Sequence, residues 1–172
     1  MARLLRSVTI PKWVSPDWMA AGDVPADALT DLRADNNALS VWRVEPDDHE
    51  GLDMALAALA SHRQKLANLD YALLDEAILP AIPIKCVKSD GGTPHSAANG
   101  ALHWDLTELT AQKVLRVAEE MMPLERARMP KKAVKSLLLG ALKSGALERA
   151  RIDKRLLSEL EPSEGEPNQR LG

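Results

Sequence analysis

A chain of 172 residues with 45% hydrophobic and 27% charged residues has ordinary globular composition, which excludes wholesale disorder and leaves room for one core-bearing domain rather than two large ones. With no phenylalanine, one tyrosine and four tryptophans, the core must be filled by Leu, Ala, Val and Ile with Met. The single cysteine, Cys86, has no second thiol to pair with, and the N-terminal stretch MARLLRSVTIPKW is too short and too polar for a signal peptide or a membrane span.

The expected location is therefore the cytoplasm, with no membrane partner. The net charge of −3 decides little, but its distribution is uneven. Residues 17–53 hold ten acids against Arg33 and Arg43, while residues 124–158 hold ten bases against Glu125, Glu148 and Asp153. A bipolar chain of this kind points to two partners, or to contact between its two ends within one molecule or between copies.

In chain order, Leu4 to Ile10 reads as a short strand ended by Pro11. Ser15-Pro16-Asp17 carries the cap, N-terminal proline and acid of a short helix that Gly22 stops. Pro25 to Arg33 reads as a second short helix. Asp23, Asp27, Asp31 and Asp35 fall four apart, which reads as a solvated face or, alternatively, as a surface for a cation or basic partner. The glycine and glutamate positions of a calcium-binding helix-loop-helix are absent. Asn36-Asn37 marks a turn before Ala38 to Val44, a strand with apolar residues on both faces, as in a central strand covered by helices.

The longest helical signal is Asp47 to Leu79. Asp47 and Glu50 have capping-box spacing, Pro80 ends the stretch, and Leu52, Leu56, Leu59, Leu66, Leu69 and Leu73 recur at helical steps. The stripe lapses over His62 to Lys65, so a pair of helices hinged near Asn68 is the competing reading. Ala81 to Lys88 reads as an edge strand because Pro83 cannot donate to a ladder. Ser89 to Gly100 reads as a long loop, and Ala101 to Asp105 as the returning strand of a hairpin.

Asp105 and Glu108 repeat the capping spacing before a helix to Met122. Pro123 and Pro130 bracket a short basic piece, LERARM. A helix from Pro130 to the Ser144-Gly145 turn and another from Ala146 to Leu160 form a basic hairpin, and the polar remainder reads as a disordered tail. The predicted fold is α+β: a small three- or four-stranded sheet packed on long helices, with residues 1–122 as core domain, 123–160 as the helical hairpin and 161–172 as the tail.

No catalytic constellation stands out. Cys86, His95 and His103 are weak zinc candidates because their spacing matches no standard site, so no metal or other cofactor is expected. Cys86 flanked by Lys85 and Lys88, with either histidine as base, would be a nucleophile only if its thiolate were stabilised. Asp90-Gly91-Gly92-Thr93 lacks the lysine spacing of a phosphate-binding loop.

The stronger signals concern binding. Arg126, Arg128, Lys131, Lys132, Lys135, Lys143, Arg149 and Arg151 form a candidate phosphate-binding surface for DNA or RNA, though without aromatics to stack on bases. Trp13 and Trp18, with Asp23, Asp27 and Asp31, form a candidate partner surface, since interface hot spots favour tryptophan. The expected function is a non-enzymatic accessory or adaptor protein that binds another protein or a copy of itself. Nucleic-acid binding through the basic hairpin is the first alternative, and an enzyme with a site around residues 89–100 the second.

Overall fold

Leu39–Val44 (β2) is buried on both faces: Leu39 and Val41 enter one apolar cluster, Trp42 and Val44 another. In the computed structural model, which describes residues 1–161, this strand lies inside a six-stranded sheet of order β4-β5-β2-β1-β3-β6. Its other strands are β1 (Arg3–Ser7), β3 (Leu69–Asp75), β4 (Lys85–Lys88), β5 (His103–Thr107) and β6 (Arg126–Met129). Every neighbouring pair is antiparallel. The expected sheet of three or four strands is thus corrected to six. The predicted tail at 161–172 lies outside the described residues, apart from Glu161.

Two strands escaped the periodicity. Within the 47–79 stretch the helix α1 covers only His49–Ser61, and β3 follows after a turn. Leu69, Tyr71 and Leu73 face one side of the sheet, Ala72 and Leu74 the other. A fully buried strand is apolar on both faces, and its leucines mimic a helical stripe. The cap is Asp48, whose Oδ1 accepts the Gly51 amide at 2.8 Å, one residue after the predicted position. The second missed strand is β6, the basic piece between the prolines. It pairs with β3 (Tyr71 opposite Ala127), so the 123–160 stretch contributes an edge to the same sheet.

Alternation sorts the strand side chains onto two faces. The first face carries Leu4, Leu39, Val41, Ala72, Leu74 and Leu106 and is covered by α3 (Ala111–Met121) and by 3-10 turns at Ile10–Trp13, Ala26–Leu32 and Glu76–Ala81. The second carries Leu5, Trp42, Val44 and Leu69. It is covered by α1, α2 (Ser96–Leu102), α4 (Lys131–Lys143) and α5 (Lys154–Leu160). The longest helices, α1 and α4, have thirteen residues each, well short of the helix expected over Asp47 to Leu79. Thr110, not Asp105, caps α3, accepting the Lys113 amide at 3.3 Å. Helix α4 begins after Pro130 and ends at Gly145, whose φ of 75° is the left-handed geometry glycine adopts without strain. The predicted last helix is a 3-10 turn at Arg149–Arg151 followed by α5. No helix among the described residues is long and apolar enough to cross a membrane.

Candidate functional site

The sheet separates the residues that a cysteine-based or metal-based site would need to join. Cys86 stands opposite Leu106 in the β4-β5 ladder and packs against the first face. His103 stands opposite Trp42 in the β2-β5 ladder and meets that ring edge-on at 5.1 Å on the second face. Its Nδ1 shares a 2.8 Å hydrogen bond with Ser89 Oγ. Burial pushes the Cys86 thiol up to about 11, with Glu76 and Asp105 adding to the shift against Arg43, so it is protonated and unreactive near neutrality. Among the described residues no three His, Cys, Asp or Glu side chains converge as a metal site.

His95 lies elsewhere again, at the start of α2. Its Nδ1 accepts the Ala98 amide at 3.3 Å, and burial lowers its pKa. The predicted loop around it is ordered by its own side chains. Asn99 Oδ1 accepts the Thr93 hydroxyl at 2.7 Å, and Asn99 Nδ2 donates to the Thr93 carbonyl at 2.8 Å. Gly91 makes this possible, because a Cβ there would come within 2.5 Å of Asn99 Oδ1. Residues 89–102 thus form a closed turn and helix. Helices α1, α2 and α4 leave a groove of about 760 Å³ beside it, with His49, Glu50 and Asp53 at its polar side and Met54, Leu137 and Ala141 among its apolar walls. Nothing in the sequence marked this groove, because its walls come from three helices distant along the chain.

The eight basic candidates do not share one surface. Arg126 and Arg128 stand opposite Ala72 and Asp70 on β3 and so face away from α4 and α5. Arg126 donates to the carbonyls of Met121, Met122 and Leu124 and lies 4.9 Å over the Trp13 ring. Arg128 grips Asp70 through Nε at 2.7 Å and Nη2 at 2.9 Å, which holds the Asp70 carboxyl below its ordinary range. Of the others, Lys131 pairs with Glu159, Lys135 donates to the Glu159 carbonyl, Arg149 pairs with Glu161, and Arg151 pairs with Glu148. Lys132 and Lys143 have no side-chain partner among the described residues.

The acidic and aromatic set also divides. Trp13 is 3% exposed, and its Nε1 donates to Asp31 Oδ2 at 2.9 Å. The same carboxylate accepts the Thr9 amide at 2.6 Å and Lys12 Nζ at 3.0 Å, while the Asp31 carbonyl accepts Arg6 Nε and Nη2. Partial burial raises the Asp31 pKa, but hydrogen bonds from Trp13, Thr9 and Lys12 outweigh it, and the net shift is downward. Asp31 is therefore an internal clasp. Trp18 is its opposite at 82% exposed. It sits in a tight turn closed by the Met19 amide on the Pro16 carbonyl at 2.9 Å. Val14 is 64% exposed on the same segment, and Asp17, Asp23 and Asp27 surround it in sequence as exposed acids. No protein-family model matches the chain, and neither a curated protein nor a solved structure does.

Proposed function

We propose that the chain is a non-enzymatic cytoplasmic adaptor that binds another protein, or a second copy of itself, through the Trp18 turn. The observation that carries this reading is a tryptophan presented almost fully to solvent on a segment fixed at both ends. Trp13 and its Asp31 clasp hold one end, and Val24 packs into the same cluster at the other. Large apolar side chains left in water cost free energy that folding would have recovered by turning them inward. A preorganised tryptophan also loses little conformational freedom on docking. The exposed carboxylates of Asp17, Asp23 and Asp27 suit a partner whose rim is basic around an apolar pocket.

The test is affinity purification of the full chain from cells that make it, at about 0.15 M salt after nuclease treatment, for wild type and Trp18→Ala, with light scattering for self-association. A stoichiometric partner, or a dimer, that weakens by about thirtyfold or more in Trp18→Ala at unchanged melting temperature supports the reading. Equal recovery by both proteins, or a monomer with no partner, overturns it.

A further inference from the structure

The turn between α1 and β3 carries basic residues that the fold brings up to the C-terminal helices. His62, Arg63 and Lys65 in this turn face α5, which contributes Arg155 and Glu159, across a hollow of about 770 Å³. A second hollow of about 560 Å³ adjoins it, sharing Glu159, and is lined by Lys131, Lys132 and Lys135 from the first turns of α4. Three separate segments thus place six Lys and Arg residues in the linings of two hollows that share Glu159, with Arg63 donating to the Asn68 carbonyl and the Ser7 hydroxyl. The shared carboxylate is already committed. Glu159 accepts Lys131 Nζ at 3.2 Å and the Leu66 amide at 3.3 Å, and the Lys131 bond is the main cause that draws its pKa down.

Lys65, Lys132 and Arg155 are exposed, and their side chains have no hydrogen bond or ion pair among the described residues. Gathering like charges from distant segments is unfavourable unless an anion completes the set. The start of α4 adds to the same field: Pro130 supplies no capping side chain, and the Lys131 amide is taken by Asn68 Oδ1 at 2.8 Å.

We infer that this basic hollow binds the phosphate backbone of a nucleic acid, with Lys65, Lys132 and Arg155 as its principal phosphate contacts. The apolar residues exposed elsewhere on the molecule decide against a membrane or a protein partner here. Among the described residues the large hydrophobics that stand out in solvent are Met1, Val14, Trp18, Val87 and Leu115, and none lines either hollow. A surface that inserts into lipid carries exposed apolar side chains beside its lysines, and a protein hot spot carries an aromatic or aliphatic anchor. With no Trp, Tyr or Phe in the lining and the His62 imidazole as its one ring, affinity comes chiefly from phosphate neutralisation and is indifferent to sequence. The hollow lies under the second face of the sheet, the Trp18 turn against the first, so both surfaces can be occupied at once.

The experiment measures fluorescence anisotropy of labelled 20-nucleotide RNA and DNA, single-stranded and duplex and of mixed sequence, with the full chain at about 50 and 200 mM salt. Vesicles containing phosphatidylserine serve as a parallel arm. With about four phosphates neutralised, affinity falls by roughly a hundredfold over that salt range. Lys65→Gln, Lys132→Gln and Arg155→Gln combined lower nucleic-acid affinity at least tenfold at unchanged melting temperature, whereas Lys88→Gln with Arg116→Gln, away from the hollow, leaves it unchanged. RNA-only or DNA-only binding with these properties supports the site and names the source. No binding to any oligonucleotide at 50 mM salt, equal affinity of the triple variant, or retention by vesicles alone overturns it.

Discussion

The two faces of the sheet are covered by different means. Under the second face, α1, α4 and α5 bury Ala55, Leu56, Ala58, Val134, Leu138 and Leu156 at helical spacing, and their backbone groups are satisfied within the helices. Over the first face the chain from Thr9 to Ala38 has two 3-10 segments and tight turns but no α-helix, and its backbone cannot satisfy itself in the same way. Side chains substitute: the Asp31 carboxylate gathers donors from Thr9, Lys12 and Trp13, and Arg6 donates to the carbonyls of Asp31 and Ser40. One face is held by periodic packing alone, the other by α3 together with one polar clasp around a buried ring.

The largest expected effect tests that clasp. Trp13→Ala removes the ring on which Arg126 lies and leaves Asp31 short of a donor, at a cost of about 3–5 kcal/mol in urea unfolding. A loss under about 1 kcal/mol would mean that the first face is held by α3 alone. Leu138→Ala, at the fully buried centre of α4, should cost about 3 kcal/mol through the cavity it leaves. Combined with Trp13→Ala it should add, because the two positions lie in separate clusters on opposite faces. Strong non-additivity would show that the faces communicate through the sheet. A third effect concerns reactivity at the margin of the first face. With its thiol pushed up to about 11, Cys86 should react with iodoacetamide at pH 8 roughly a hundredfold more slowly than an unperturbed cysteine, its rate still climbing above pH 9. Rapid alkylation at pH 7 would reopen the nucleophile that the geometry closes.

The same contrast explains what could be read from the residues. Helix α4 and strand β2 were legible because local signals agreed with the tertiary result: Pro130 and Gly145 bracket one, and apolar residues on both faces mark the other. Strand β3 was not, since Leu66, Leu69 and Leu73 satisfy a helical period as well as a buried strand. Only the lapse at His62 to Lys65 showed where the chain turns. β6 was hidden because Arg126 and Arg128 look like solvent-facing cations until Trp13 and Asp70 are placed beneath them. Among the candidate site residues, type and pattern drew attention to Trp13 and Trp18 alike. Nothing local distinguishes them, because the distinction is made by Asp31, eighteen residues from Trp13. The basic hollow was partly visible: Lys131, Lys132, Lys135 and Arg155 all belong to the basic hairpin, but Lys65 joins them only through the fold.

Acid should loosen the first face before the second. Asp31 and Asp70 both have carboxyl pKa values drawn below the ordinary range, Asp70 chiefly by Arg128 and Asp31 by its three donors against partial burial. At neutral pH both are ionised in the folded and unfolded chain, and their full contribution is present. As pH falls through about 4 the unfolded chain takes up these protons first, so stability is lost from there down through the depressed folded values. Unfolding free energies at pH 7 and pH 3 should therefore differ more for wild type than for the Asp31→Asn, Asp70→Asn protein. An equal loss in both would place the acid sensitivity elsewhere.

The smallest expected effect is the most discriminating for function. Trp18→Ala should change unfolding free energy by no more than about 0.5 kcal/mol, because a side chain 82% exposed gives up almost no buried area when it is truncated. Set beside Trp13→Ala, this makes a controlled pair: the same residue type, five positions apart, one closing the clasp and the other standing outside it. If Trp18→Ala instead destabilises by 1 kcal/mol or more, its ring is packed in solution and the exposed turn loses its claim as a docking surface. If it is thermodynamically silent yet removes a bound partner, the exposed position is kept for that contact, since it contributes nothing to the fold.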